Sequence, residues 1–372
     1  MIFSPFSGSY DPADVIFLMK VIDLPPTPLA ERERRIQAGL AHYSEMIGEE
    51  NPPSPAYLKV FHESVERDGP NMAERLAALA ALIAARHHGP LTLVSLARAG
   101  TPIGVLLGRL LRRHFHRDTR HYSISIIRDR GLDTNALRFL LREQGLPASS
   151  IVFVDGWTAK GVIARELAAA VKHYNRETGA GLNADLHVLT DLCGEAGMAP
   201  SHEDFLVPSS ILNSIVSGLV SRSILNPDHI GPGDFHGCVY YDHLALHDLS
   251  RSFVDRIMLE VERLAKATPI AAIKAEPLRE EQRRDLQKQG KEFVGRILRD
   301  HNLPNANHIK PGIGEATRVL LRRVPKAILL RSPDAPETRH LRILAEEKEV
   351  PVIPDPALPY RAAALIKVVD HA

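Results

Sequence analysis

Residues 151–163 read IVFVDGWTAKGVI: an apolar run, an acid at its carboxyl end, a short loop, then a helical pattern. Ile151–Val154 is all β-branched or aromatic, which suits a strand covered on both faces. A helix opening at Gly161 would present free backbone N–H groups, a ready site for an anion. Thr158 and Lys160 add a hydroxyl and a positive charge, and Asp155 could accept ribose hydroxyls or face a magnesium ion. The plain alternative is a strand–helix turn with Gly161 present for packing. The Gly-Lys-Ser/Thr of a Walker A loop is absent after Gly161.

Outward from this stretch the pattern repeats. Residues 91–96 read as an apolar strand, 97–101 as a turn and 102–113 as a helix with apolar residues at helical spacing. Residues 122–127 alternate as a strand, 133–144 are helical, 161–174 form the next helix and 186–189 another strand. Strand, loop and helix in succession predict an α/β fold with a parallel sheet and helices on both faces. Upstream, Val15–Ile22 forms a short first element, Leu29–Ile47 and Asn71–Arg86 read as helices, and the prolines at 52, 53 and 55 mark a break. Residues 204–255 are irregular, and a long charged helix spans 278–300.

The chain has 372 residues, enough for two or three domains, with a net charge of +1, so any nucleic-acid site must be a local basic patch. Cys193 and Cys238 are its only cysteines, which excludes a disulfide framework and fits a reducing cytoplasm. No apolar run approaches the roughly 20 residues a bilayer requires, and the N-terminus lacks the pattern of a signal peptide.

The 151–163 loop resembles the ribose-phosphate loop of type I phosphoribosyltransferases, in which an apolar strand ends in two acids and a Thr-rich loop closes on a Gly six residues after the first acid. Asp155 and Gly161 keep that spacing; Gly156 replaces the second acid, and Ala159 and Lys160 replace hydroxyl residues. Residues 94–104, VSLARAGTPIG, resemble the pyrophosphate loop of the same enzymes. The resemblance implies that Arg98 faces pyrophosphate with the backbone at Ala99, Gly100 and Thr101, and that magnesium bridges the ligand. Arg128 and Arg130 stand where that family has its mobile active-site loop; otherwise they are a solvated charged turn.

Residues 310–323, KPGIGEATRVLLRR, followed by a strand at 327–330, a charged helix and a strand at 350–353, resemble the Pelota and kink-turn-binding ribosomal protein superfamily. That resemblance implies a small α/β/α domain that contacts bent RNA through Lys310, Gly312, Gly314, Glu315, Thr317 and Arg318. Gly314 stands where better RNA binders often have Asn, and Arg318 where they have Lys. The alternative is an ordinary helix cap with a solvated basic face.

Between these lie VPSSILNSIVSGLVSR (207–222), whose small polar residues either line a pocket or pack a helix closely, and DFHGCVYYDH (234–243). Cys238 beside His236, His243 and His247 invites a thiol-peptidase or metal reading; the two-residue spacing of His236 and Cys238 suits one face of a strand, and no metal is assigned. The segments PFSGSYDPADVIFLMK, HYSEMIGEE, SILNSIVSGLVSRSIL and DFHGCVYYDHL together resemble a bacterial phosphoribosyltransferase-like family of tellurite-resistance (Ter) gene clusters, also labelled cysteine protease StiP. The expected layout is an N-terminal helical extension (1–70), a type I phosphoribosyltransferase-like domain (71–268) and a Pelota-like domain (275–372). The leading expectation is an enzyme that handles a ribose phosphate or nucleotide with magnesium beside an RNA-binding domain. A non-catalytic RNA-binding protein and a cysteine peptidase using Cys238 are the alternatives.

Overall fold

The structure, a computed structural model, describes residues 5–368; the last residues of the expected 275–372 domain and the first of the 1–70 extension lie outside them. The chain opens with two short strands, β1 (Ile16–Leu18) and β2 (Lys20–Val21), helix α1 (Leu29–Gln37) and a 3-10 turn at Tyr43–Glu45. Helix α2 then runs unbroken from Pro55 to Arg86, with Ser54 Oγ accepting the Tyr57 N–H at 3.2 Å as its cap. The predicted start at Asn71 is therefore 16 residues late. Asp68-Gly69-Pro70 reads as a turn in isolation, yet Gly69 is packed against Ile257 and Glu260 of a later helix, and tertiary packing overrides local propensity.

The core follows in order: β3 (Leu91–Ala97), α3 (Thr101–His114), β4 (Thr119–Ile127), β5 (Gly131–Leu132), α4 (Thr134–Arg138), β6 (Ile151–Val154), β7 (Trp157–Thr158), α5 (Val162–Thr178), β8 (Leu186–His187) and β9 (Thr190–Asp191). The main sheet runs β1-β4-β3-β6-β8, each pair parallel, with β5 hairpinned onto β4. Its central strands β3 and β6 are almost wholly buried, as their unbroken apolar character requires. Helices α2 and α3 pack with α6 (Ser250–Ala267) in one layer, while α5 joins the cluster of Val94, Phe153 and Leu167 in another. The stretch expected to be irregular over 204–255 is so as far as 249, with only short 3-10 turns and the strand β10 (Gly237–Cys238) paired to β2, and α6 takes over at Ser250. The 207–222 segment is thus not a helix.

After a connection at 268–279, α7 (Glu280–Asp300) leads into a second mixed sheet, β11 (Ile309–Pro311), β12 (Pro325–Leu330), β13 (Val352–Pro354) and β14 (Ala362–Ile366), carrying α8 (Ile313–Arg322) and α9 (Arg339–Glu347). This C-terminal domain is not a free appendage. Asp204, in the irregular segment of the core, accepts the Ile313 N–H at the start of α8 (3.0 Å) and the Arg361 N–H (2.8 Å). Gly314 lies so close to Trp157 that a Cβ there would sit 2.5 Å from the indole, and Arg318 stacks over the same ring at 4.4 Å.

Removing the Asp204 carboxylate leaves two backbone donors without their acceptor, at about 1–3 kcal/mol each. Asp204→Ala is expected to lower the melting temperature by several degrees. It should also shift the emission of Trp157, the only tryptophan in the chain, to the red as the C-terminal domain loosens. An unchanged spectrum and melting curve would show that this contact does not hold the domains together.

Candidate functional site: a cleft between the parallel sheet and helix α8

Parallel sheets expose the carboxyl ends of their strands, where loops and helix N-termini converge. Here that edge is roofed by α8, enclosing a cavity of about 400 Å³. Nine Lys and Arg side chains line it against five carboxylates, so it is cationic although the chain is nearly neutral.

The 151–163 loop forms one wall. Asp155, at the end of β6, lines the cavity and accepts the Gly156 N–H at 2.7 Å. Desolvation raises its pKa to about 6, against the opposing pull of Arg318. Gly161 adopts φ 67° and starts α5, and Thr158 Oγ1 accepts its N–H at 3.2 Å, so Thr158 shapes the loop. Lys160 reaches across to the C-terminal domain, donating to Ala306 O (2.5 Å) and Ile309 O (3.3 Å). Desolvation, with nearby Lys310, lowers its pKa to about 8.

The β3–α3 loop forms a second wall. Arg98, only 6% exposed, pairs with Glu50 at 2.7 Å and donates to Val220 O and Asn213 Oδ1. The Ala97–Arg98 peptide is cis. Ala99 lines the cavity. Gly100 is demanded by close approach, since a Cβ would lie 2.8 Å from Val154 O. The Thr101 side chain is fully buried, its Oγ1 2.8 Å from Ser123 Oγ, so only its backbone is left for a ligand. Arg128 does line the cavity, its N–H held by the Tyr43 hydroxyl, whereas Arg130 turns outward to Glu45 at 2.9 Å.

The third wall is the Pelota-like run. Lys310, Glu315 and Arg318 line the cavity, with Glu315 and Arg318 paired at 2.7 Å. Gly312 packs against Leu192 and Gly314 against Trp157, so both are covered by the core. An Asn at 314, the residue expected of a better RNA binder, would collide with the indole. Thr317 is fully buried and bonded to Ile313 O and His340 inside its own domain. Of the run expected to contact RNA, Lys310, Glu315 and Arg318 thus face the cavity, and Gly312, Gly314 and Thr317 are covered by protein.

Glu50 lies in the HYSEMIGEE segment without any local signal for the site, whereas Arg322 and Arg323 belong to the basic run of 310–323 and Arg222 is the single Arg of 207–222; all four line the cavity. The 207–222 segment does line the cavity, through Ser209, Ser210, Asn213, Ser217 and Arg222. Cys238 does not. It is fully buried in β10, and burial pushes its thiol up to about 12. His236 bonds Ser125 Oγ at 2.8 Å, and His243 contacts Glu50 O. Cys193, 7% exposed, sits beside Asp191 and Thr158 with its thiol pushed further up by burial. Among the described residues no hydrogen bond joins either thiol to a histidine, no group of three His, Cys, Asp or Glu could hold a metal, and no helix is long and apolar enough to cross a membrane.

Comparison with known proteins completes the description. Residues 8–258 match the family described as tellurite-like stress resistance cysteine protease StiP, and residues 288–368 match the PELOTA RNA binding domain. A protein described as "Cysteine protease StiP" from Acinetobacter baylyi (strain ATCC 33305 / BD413 / ADP1) is 41% identical over 372 residues, covering 97% of this chain and 94% of its own. A solved multiple substrate aminotransferase from Thermococcus profundus is 14% identical and covers 82% of this chain and 74% of its own. Its TM-score of 0.22 carries no argument. The chain therefore belongs to the StiP family and carries a Pelota-type RNA-binding domain at its C-terminal end.

Proposed function

We propose that the cleft binds a ribose phosphate or nucleotide and that the chain acts on it as a phosphoribosyltransferase-like enzyme. The observation that carries this reading is the cationic cavity at the carboxyl edge of the parallel sheet, reached by Asp155 and by the opening of α5. In such a transfer the C1–O bond of phosphoribosyl pyrophosphate breaks, its electron pair leaves with pyrophosphate, and an acceptor bonds to C1 and gives up a proton. Asp155 would take ribose hydroxyls, Lys160 and the α5 N–H groups the 5-phosphate, and Arg98 the pyrophosphate, so that catalysis rests on positioning and on stabilising the departing charge. Magnesium would be held by Asp155, the one carboxylate of the 151–163 loop, together with ligand oxygens, and would supply positive charge for the phosphates. Lys310, Glu315 and Arg318 face the same space, which suits a nucleoside or RNA end as acceptor.

Titration calorimetry with phosphoribosyl pyrophosphate and magnesium tests the reading. Micromolar binding is expected in the parent chain and its loss in Asp155→Ala. Asp155 ionises as pH rises through about 6, and Lys160 gives up its proton as pH rises through about 8. Affinity should therefore climb through about pH 6, peak near pH 7, and fall through about pH 8. Absence of binding across that range would remove the proposal.

The second reading is a cysteine peptidase, favoured by the description of the family and of the Acinetobacter relative. It needs a thiolate with access to substrate. With Cys238 wholly buried and its thiol raised, a disulfide reagent at pH 8 is expected to leave it untouched in the native chain and to modify it in guanidinium. Rapid native labelling of Cys238 that abolishes a proteolytic activity would reverse the order of the two readings.

A further inference from the structure

Around Asn213, guanidinium groups outnumber the acids that could balance them. Arg98 and Arg322 share a single neutral acceptor: Asn213 Oδ1 takes a bond from Arg98 at 3.1 Å and two from Arg322 at 2.9 and 2.5 Å. Arg98 comes from the β3–α3 loop of the core and Arg322 from the end of α8 in the other domain. Arg222 joins them from the 207–222 segment, donating to Met46 O at 2.5 Å and stacking over Tyr43. Glu50 is the one carboxylate in ion-pair contact, and only with Arg98; among the described residues neither Arg222 nor Arg322 has an acid within ion-pair distance.

Uncompensated charge of one sign in a low-dielectric cleft is costly unless something neutralises it. The surroundings also have donors to spare. Arg98 Nε and Arg222 Nη1 have no hydrogen-bond partner in the protein, nor have the hydroxyls of Ser210 and Ser223, which are 6% and 5% exposed. All four residues line the cavity. Spare guanidinium and hydroxyl donors beside excess positive charge match a group that only accepts and is at least dianionic. Arginine forks favour phosphoryl oxygens over other anions of that charge.

We infer that Arg98, Arg222 and Arg322 form a phosphoryl-binding subsite that bridges the two domains, taking the diphosphate end of the ligand and fastening helix α8 over the sheet as it does so. The inference rests on the proposed ribose-phosphate reading only for what carries the diphosphate. Binding and domain closure are then linked: an anion that bonds both Arg98 and Arg322 favours the closed arrangement, and prior closure favours the anion.

Inorganic pyrophosphate, without ribose, is the probe. Calorimetry and thermal melting of the full chain are expected to show salt-sensitive binding and a rise in melting temperature of several degrees. Arg222→Met and Arg322→Met should each weaken that binding at least tenfold. Their unliganded melting temperatures should hold or rise, because like charges have been separated. Arg222→Lys and Arg322→Lys keep the charge but lose the fork and should fall between, which covers the case of a Met variant that does not fold. Variants that bind pyrophosphate as tightly as the parent, or a parent that does not bind it, would overturn the subsite. If the subsite stands but phosphoribosyl pyrophosphate binds no more tightly than pyrophosphate alone, the ribosyl reading fails by itself.

Discussion

The carboxylate of Asp204 sets the geometry on which the cleft depends. It belongs to the irregular stretch of the core, yet it accepts backbone N–H groups at both the start of α8 and the start of β14 in the other domain. Desolvation pushes its pKa up to about 6, with those N–H bonds opposing the shift. Because the acceptor is a side chain and the donors are main chain, the orientation of α8 is fixed at its N-terminus and does not rely on surface charge. With α8 so placed, Gly314 meets Trp157, Arg318 covers the indole, and Arg322 reaches Asn213.

The parts of the fold that are legible in the sequence are those whose local pattern and tertiary role agree. Ile151–Val154 is read to the residue because an unbroken β-branched and aromatic run can only be a covered strand, and the Gly161 helix start follows from it. The strands and helices from Leu91 to Thr178 come through within a few residues for the same reason. The start of α2 does not, because a buried packing partner outweighs a Gly-Pro pair. Within the site, Asp155, Arg98, Ala99, Lys160, Gly161 and Arg128 reach the cavity, since strand ends and loop residues of a parallel sheet share one edge. The Thr101 side chain, at the first position of α3, is taken up by Ser123. Arg322 is legible as part of the basic 310–323 run and Arg222 as the single Arg of 207–222, but their meeting with Glu50 is not, because it spans more than 270 residues of chain and no local spacing encodes that.

The family is described as a cysteine protease, and Cys238 is a buried residue away from the cleft. A peptidase thiol must be exposed and readily ionised, and Cys238 is neither. The cleft has the complementary character, with fixed positive charge, spare donors and two groups whose pKa values of about 6 and about 8 bracket neutrality. Likewise the Pelota-type domain is present, and its 310–318 run, expected to contact RNA, is packed against the core and the cavity.

A cleft whose walls lie on either side of the 268–279 connection has a property that a pocket within one domain lacks. The covalent tether sets the effective concentration of one wall around the other. Closing the cleft is thereby an intramolecular step, spared the translational entropy that two separate chains would lose on meeting. Residues 268–279, anchored to the core by buried Ile270 and by the Leu278 N–H on Ala199 O, therefore contribute to affinity without touching a ligand.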